Sequence, residues 1–252
     1  MRDACARIFG NAFLSHYRMH WEGPLCEPEL RMADDLKGMF AKRGCTGSGP
    51  LYAMFRDLAR TAADRWWMDH NDLRYDITVI PPRVICGEFV KTKGHYHPEC
   101  ADGYGYPEIY EVLGGCAHYL LQREDLRDVV LVRADAGDIV VVPPGYGHVT
   151  INPVPDRALH MANIVSARFT SNYQQFVSMN GAAYYEMADG SFVKNREYGK
   201  VPPLREVCAA RLGTKKAGFT SPLYTLIERR RPVLGFLNNP GQFTDTARAA
   251  YP

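Results

Sequence analysis

Two histidines separated by one residue, His95 and His97, are the side chains of this sequence best suited to holding a metal ion. Side chains of an extended strand alternate between its faces, so both imidazoles point the same way and Tyr96 points to the other side. Glu108 follows, and His148 begins a second run with strand character that could pair opposite the first. The spacing predicts one metal site with three imidazole nitrogens and one carboxylate oxygen.

The predicted ligand set favours a divalent first-row transition metal, which could be Fe, Mn, Zn, Ni or Co, over a structural zinc bound by thiolates. In a six-coordinate site the protein ligands leave two positions open. Two other carboxylates compete with Glu108. Glu99 lies beside a proline, and Glu111 falls on the opposite strand face from Glu108, so Glu108 is the preferred ligand.

The segment that contains His148 carries a wider motif. Its members are two glycines, a proline, the histidine and an asparagine, at Gly137, Pro143, Gly145, His148 and Asn152. This spacing matches the second signature of the cupin family without a gap. The chain therefore resembles the cupins, and the resemblance implies a jelly-roll barrel that binds a metal.

The first cupin signature fits less closely. Residues 98–107 separate His97 from Glu108, whereas cupins usually have a much shorter spacer. After Glu108 the pattern resumes and leads to Gly115. An insertion at the tip of a hairpin costs little loop-closure entropy, so we expect an enlarged loop beside an intact site.

Three segments narrow the resemblance to the cupin-type glucose-6-phosphate isomerases: TKGHYH, EIYEVLGG and VVPPGYGH. Later segments are similar to the bacterial branch of that family: NYQQFVSMNGAAYY, FVKNREYGKVPPLRE and GFLNNPGQF. The resemblance covers roughly residues 70–240. It implies a metal-dependent aldose–ketose isomerase that interconverts glucose 6-phosphate and fructose 6-phosphate through an enediolate.

The same resemblance directs attention to a phosphate site just before the histidine pair. Phosphate binding needs N–H and O–H donors more than full positive charge. Thr92 and Gly94 can supply a hydroxyl and a backbone N–H, Thr78 is positioned as in the family, and Lys93 would add charge. We therefore expect these residues to bind the phosphate group.

Glu108 is also the candidate acid–base group, which would move a proton between C2 and C1 of the sugar. A metal-assisted hydride shift is the competing mechanism, and the sequence does not separate the two. Tyr110 and Tyr173 resemble substrate-contacting tyrosines of the family. The chain departs from the archaeal pattern at Ser171, where those relatives have a histidine, so the substrate or the activity could differ.

Three other functions stay open. A related cupin sugar-phosphate isomerase or epimerase with another substrate is the strongest rival. A metal-dependent cupin dioxygenase would use the same ligand set, although the TKG segment argues against it. A sugar-binding regulator without catalysis is disfavoured because the sequence contains no helix-turn-helix and no basic domain.

The elements that must position these residues divide the chain, taken as a single cupin domain over 1–252, into three parts. Residues 71–168 read as short strands separated by Gly, Pro and Asp turns, which predicts an all-β barrel or jelly roll. Residues 1–70 form a predicted N-terminal extension with helical periodicity in 53–70. Residues 169–252 form a predicted C-terminal extension, with a hairpin at Asp189-Gly190, that packs on the barrel or on a partner subunit.

Composition indicates an ordinary globular enzyme, since 46% of the 252 residues are hydrophobic and 23% are charged. A net charge of +2 gives no reason to expect nucleic acid or an anionic membrane as partner. We expect neither secretion nor a membrane span, because the first seventeen residues lack an uninterrupted apolar region and no stretch approaches eighteen apolar residues. The seven cysteines include no CxxC pair, so we expect reduced thiols and a cytoplasmic location. We also expect the protein to be a homodimer and to act on a small sugar phosphate.

Overall fold

The computed structural model describes residues 21–242, 248 and 250–252. Predictions for the first twenty residues, including Cys5, therefore lie outside the described part of the chain.

The described residues form strands and α-helices with these bounds: β1 (Glu29–Met32), β2 (Pro50–Phe55), α1 (Ala62–His70), β3 (Leu73–Ile80), β4 (Val84–Ile85), β5 (Glu88–Phe89), β6 (Glu108–Gly114), β7 (Cys116–Arg123), β8 (Val129–Asp135), β9 (Ile139–Val142), β10 (Tyr146–Ile151), β11 (Leu159–Ser166), α2 (Gln174–Ser178), β12 (Tyr184–Glu186), β13 (Phe192–Lys194), β14 (Arg205–Cys208) and α3 (Thr225–Glu228). Short 3-10 helices lie at Ala33–Leu36, Arg196–Tyr198, Ala209–Arg211, Pro232–Leu237 and Pro240–Gln242.

Two sheets build the barrel. One has the strand order β1-β2-β3-β11-β6-β9 and the other has the order β10-β7-β8-β14. All pairs within them are antiparallel except β14, which runs parallel to β8. The prediction of an all-β jelly-roll barrel is confirmed, and so is the hairpin at Asp189-Gly190, which joins β12 to β13.

Alternation along the strands separates two apolar clusters. On β6, Tyr110 and Val112 belong to the cluster shared by both sheets, whereas Ile109 belongs to the cluster on the other face. That outer face of the six-stranded sheet is covered by C-terminal side chains, including Phe219 and Leu237, which are fully buried. Because both faces of the sheet are covered, its strands are apolar on both sides rather than alternately apolar and polar.

The N-terminal segment extends the barrel sheet. β2 pairs with β3, placing Met54 opposite Thr78, and β1 pairs with β2. The helix predicted over 53–70 is therefore wrong in its first half, because sheet pairing overrides the local helical periodicity. The true helix α1 begins after Thr61, whose hydroxyl accepts a hydrogen bond from the backbone N–H of Asp64 at 3.0 Å. The division into 1–70, 71–168 and 169–252 stays a prediction.

The prediction that all cysteines are reduced is wrong for Cys45 and Cys86, which form a disulfide. Cys45 lies in the loop before β2, and Cys86 lies in the turn between β4 and β5. Arg83 holds these two loops together by donating hydrogen bonds to the backbone carbonyls of Ser48 and Pro50. The partners are 41 residues apart in sequence, so no local cysteine pattern could reveal them. The other described cysteines are free thiols: Cys26, Cys100, Cys116 and Cys208.

None of the helices in the described part of the chain is long and apolar enough to span a membrane.

We expect the disulfide to stabilise the N-terminal strands against the barrel. Closing a loop of 41 residues reduces the entropy of the unfolded chain. Reduction should lower the free energy of unfolding by about 2–4 kcal/mol, measured by urea unfolding with and without dithiothreitol.

The double variant Cys45→Ser/Cys86→Ser should unfold like the reduced wild type and gain nothing from oxidation. Cys208→Ser, which removes an exposed free thiol, serves as the control and should keep the full response to reductant. An equal unfolding midpoint for oxidised and reduced wild type would contradict the expectation.

Candidate metal centre and substrate cavity

The predicted ligands converge on one point inside the barrel. His95 and His148 exchange backbone hydrogen bonds with N···O distances of 3.3 and 3.0 Å, so the segment with both early histidines lies alongside β10. His95 Nε2 lies 3.2 Å from His97 Nε2. Glu108 Oε2 lies 3.4 Å from His97 Nε2 and 3.3 Å from His148 Nε2. One ligand atom from each of the four side chains lies within 4.8 Å of every other.

The arrangement fits a bound cation. Glu108 is 4% exposed, and its Oε2, which faces the imidazoles, is buried without a hydrogen-bond partner. Burial alone would raise the pKa of Glu108, but the neighbouring His148 and His97 more than offset this and bring it below its ordinary value. A buried carboxylate oxygen with no hydrogen-bond partner, facing three imidazoles, is stabilised by a cation. A divalent metal between the four side chains would meet that need.

The imidazoles of His95 and His97 are suited to act as neutral ligands. Burial lowers the pKa of His97 to about 4 and lowers that of His95 well below its ordinary value. His97 Nδ1 lies 2.8 Å from the backbone carbonyl of Tyr106, to which it donates, so Nε2 carries the free lone pair that faces the site. Neutral imidazole with a fixed tautomer is the form that binds metal.

Tyr106 belongs to the enlarged loop, which therefore has a definite place in the site. Within this loop, Cys100 N–H donates to the carbonyl of Tyr104 at 2.7 Å, and Glu99 bridges to Gly105. The insertion is thus a small hairpin whose end supplies the hydrogen-bond acceptor for His97. Glu99 is exposed and takes no part in the cluster.

Glu111 also lies away from the cluster. Its carboxylate accepts hydrogen bonds from the Ser221 hydroxyl and from the backbone N–H of Leu223, the latter at 2.6 Å. Strand alternation, which predicts opposite faces for Glu108 and Glu111, accounts for this separation. Glu111 instead attaches the C-terminal segment to the outer face of the barrel.

A cavity of about 310 Å³ opens onto the four ligand atoms. Five of the residues predicted to bind substrate line it: Thr78, Thr92, Lys93, Tyr110 and Tyr173. Tyr110 Oη lies 3.0 Å from His148 Nε2, and the ring centre of Tyr173 lies 5.5 Å from that of His95.

Gly94 is not among the residues that line the cavity. A Cβ atom on Gly94 would lie 2.3 Å from the Phe176 ring and 2.7 Å from Val149 Cγ2. Glycine is needed here because Phe176 packs against the backbone. This close packing, rather than substrate contact, explains the residue in the present structure.

Three arginines that no sequence motif indicates also line the cavity: Arg31, Arg56 and Arg74. Arg56 and Arg74 both pair with the buried Asp76, with N···O distances of 2.8 and 2.9 Å, so each has a close ion-pair partner although the two share one carboxylate. Arg31 differs, because its nearest carboxylate, that of Glu29, lies 3.8 Å away and its Nε is buried without a hydrogen-bond partner.

Arg31 lies close to Lys93 although the two are far apart in sequence. Arg31 pairs with Tyr52 across β1 and β2, and Tyr52 Oη accepts the backbone N–H of Lys93 at 3.0 Å. The two cationic groups also approach the same ring, with Arg31 Cζ 5.9 Å and Lys93 Nζ 5.2 Å from the centre of Tyr173. Only the pairing of β1 with β2 creates this proximity, so no sequence motif could have revealed it.

One further polar group that lines the cavity, the Thr150 hydroxyl, is available for hydrogen bonding. Thr150, two residues beyond His148 on the same face of β10, is 1% exposed, and its Oγ1 has no hydrogen-bond partner. The period of two in a strand was the signal that could have identified it.

Comparison with known families gives a match over most of the described chain. A family model described as glucose-6-phosphate isomerase matches residues 31–203. The glucose-6-phosphate isomerase of Thermococcus litoralis is 37% identical over 82 residues, which cover 32% of this chain and 40% of that protein. The enzyme of the same name from Pyrococcus furiosus is 35% identical over 82 residues, covering 32% of this chain and 41% of that protein. The chain thus aligns with about 40% of the length of these relatives.

Solved structures give more distant likenesses. A mutant of the oxalate decarboxylase of Bacillus subtilis has a TM-score of 0.37 and 16% identity, covering 54% of this chain and 32% of that chain. A cupin 2 conserved barrel domain protein from Rhodopseudomonas palustris has a TM-score of 0.31 and 12% identity, covering 47% of this chain and 63% of that chain.

We expect His97→Ala and His148→Ala to lose most of the bound metal, because each change removes one of the converging nitrogens. Metal content of purified, metal-replete protein should be measured by mass spectrometry, with folding checked by circular dichroism. Glu99→Gln is the matched control and should bind metal like the wild type, since Glu99 is exposed and outside the cluster. Full occupancy in both histidine variants would exclude this ligand set.

Proposed function

Because this chain belongs to the glucose-6-phosphate isomerase family, we propose that it is a metal-dependent aldose–ketose isomerase that interconverts glucose 6-phosphate and fructose 6-phosphate. The observation that carries the proposal is one cavity with two different sets of groups. The four converging ligand atoms line it, and so do Arg31 and Lys93 with two threonines, Thr78 and Thr92. Such a cavity suits a small molecule with a reactive carbonyl at one end and a phosphate at the other.

Two cationic side chains of the proposed phosphate site, Arg31 and Lys93, have donor groups available for a ligand. The Arg31 Nε is buried without a partner, and Lys93 forms no ion pair within the described part of the chain. Thr92 Oγ1 accepts the backbone N–H of Thr150 at 2.9 Å, which leaves its own hydroxyl hydrogen to donate. A phosphate dianion would therefore receive charge-assisted hydrogen bonds from Arg31 and Lys93 and neutral ones from Thr78 and Thr92.

The reactive end needs a group that moves a proton and a group that donates a hydrogen bond. A divalent metal held by the four ligands would act as a Lewis acid toward the C1 and C2 oxygens of the sugar. Glu108, whose carboxylate is buried beside this site, is the group proposed to take the C2 proton and return it at C1. Burial and the nearby Glu108 raise the pKa of Tyr110 well above its ordinary value, so its hydroxyl stays protonated and can donate to a sugar oxygen.

A second candidate is a related sugar-phosphate isomerase or epimerase with a different substrate. The observation that favours it is Ser171, which lines the cavity where the archaeal relatives resembled by this sequence have a histidine. A smaller side chain at this position leaves room that another sugar could occupy.

We also propose a homodimer in the cytoplasm, with neither nucleic acid nor membrane as partner. The Cys45–Cys86 disulfide differs from the reduced thiols that were part of the cytoplasmic expectation.

We expect Arg31→Gln to weaken substrate binding selectively. Loss of a charge-assisted hydrogen bond worth about 1.5–3 kcal/mol should raise KM for fructose 6-phosphate by about ten- to a hundredfold, with little change in kcat. The measurement is a coupled assay of the metal-replete enzyme with fructose 6-phosphate and with unphosphorylated fructose. Arg127→Gln, an exposed arginine outside the cavity, is the matched control.

The selectivity for the phosphorylated sugar should fall in Arg31→Gln and stay unchanged in the control. An unchanged KM would remove Arg31 from the phosphate site. No ketose or aldose formation by the wild type would contradict the isomerase proposal itself.

Glu108→Gln should separate the two chemical routes. Glutamine keeps the size and one ligand oxygen but cannot hold the transferred proton, so turnover should fall by about two to four orders of magnitude while metal remains bound. In D₂O the wild type should place some deuterium at C1 of the product, detected by NMR. A nearly active Glu108→Gln with metal bound, together with no deuterium uptake by the wild type, would favour a hydride shift.

A further inference from the structure

A second cavity lies on the outer side of the barrel. It has a volume of about 540 Å³ and is lined by residues 137–139, 209–216 and 219–221, and we call it the C-terminal cavity. It shares no lining residue with the substrate cavity. Most of its wall lies beyond residue 203, where the family match ends.

The rim of the C-terminal cavity is positively charged. Arg211, Lys215 and Lys216 lie close together in sequence, and none of them forms an ion pair with any residue that the structure describes. Asp138 is the acidic residue among those lining the cavity, and its Oδ2 already accepts the backbone N–H of Asp135 at 2.9 Å. The three cationic side chains outnumber the single carboxylate, so the lining carries a net positive charge that attracts an anion.

The wall of this cavity also offers neutral hydrogen-bond donors. Thr214 is only 6% exposed, yet its side chain forms no hydrogen bond with the described residues. The carbonyls of Gly213, Thr214 and Lys215 are used within the turn, where they accept from Ala217, Phe219 and Gly218 at 3.0, 3.0 and 3.1 Å. The Thr214 hydroxyl can therefore donate a hydrogen bond to a ligand oxygen.

The floor of the cavity is apolar. Ile139, Leu212 and Phe219 line it, and Leu212, which is only partly buried, exposes more of its side chain than Ile139 at 5% or Phe219 at 0%. Free inorganic phosphate would leave this surface uncovered. A ligand that joins an anionic group to an apolar ring would use both the rim and the floor.

We propose that the C-terminal cavity binds a phosphorylated small molecule that carries an apolar or aromatic group. This site is separate from the substrate cavity and does not depend on the proposed isomerase activity. Ser221, which lines the cavity, donates a hydrogen bond to Glu111, and Glu111 lies on the same strand β6 as Glu108. A bound ligand would therefore contact the segment that packs directly behind the metal centre.

The test uses AMP as the probe and isothermal titration calorimetry on the full chain. The wild type should bind AMP and should bind the neutral adenosine at least about tenfold more weakly. Lys215→Gln/Lys216→Gln should lower the affinity for AMP by about tenfold or more, and Thr214→Val should lower it by a smaller factor. The lysines are exposed, so the double variant should unfold at the wild-type temperature.

Two controls locate the bound nucleotide. Lys42→Gln/Lys200→Gln removes two exposed charges away from both cavities and should bind AMP like the wild type. Arg31→Gln alters the substrate cavity and should also leave AMP binding intact. Wild-type affinity in Lys215→Gln/Lys216→Gln, loss of binding in Arg31→Gln, or no binding of AMP by the wild type would each overturn the proposal.

Discussion

The pairing of the His95 segment with β10 is the interaction on which the rest of the site depends. Two reciprocal backbone hydrogen bonds join His95 to His148, and a third links Thr92 to Thr150. Because side chains alternate along both paired segments, this register turns all three histidines toward the barrel interior. A shift of one residue would turn them outward and separate them from Glu108.

The opposite side of this pair is packed so tightly that it admits only glycine at two positions. A Cβ on Gly94 would lie 2.3 Å from the Phe176 ring, and one on Gly147 would lie 2.6 Å from Cζ of Tyr96. Tyr96 itself accepts a hydrogen bond from Gln122 at 2.7 Å. The apolar layer behind the paired segments therefore holds their backbone in place.

Electrostatic balance in the substrate cavity favours an anion and a cation together. Asp76 is fully buried and pairs with both Arg56 and Arg74, so this one carboxylate offsets only one of the two arginine charges. Arg31 lies beside Tyr52 on the paired strands, and its nearest carboxylate stays 3.8 Å away. Glu108 provides the buried negative charge that a cation would balance. One cavity of about 310 Å³ is thus lined both by cationic groups that suit an anion and by ligand atoms that suit a cation.

The sequence by itself determined the barrel and the four candidate ligands that the structure brings together: the period of two places His95 and His97 on one face, and strand alternation distinguishes Glu108 from Glu111. Only the tertiary structure decided which groups outside those motifs reach the site. Arg31 enters the cavity through the pairing of β1 with β2, and Tyr106 fixes the His97 tautomer through a folded insertion. The same limit explains the Cys45–Cys86 disulfide and the strand at Met54, where a helical period was present in the sequence. These features depend on contacts between distant segments, whose free energy outweighs local propensity and leaves no periodic signal in the chain.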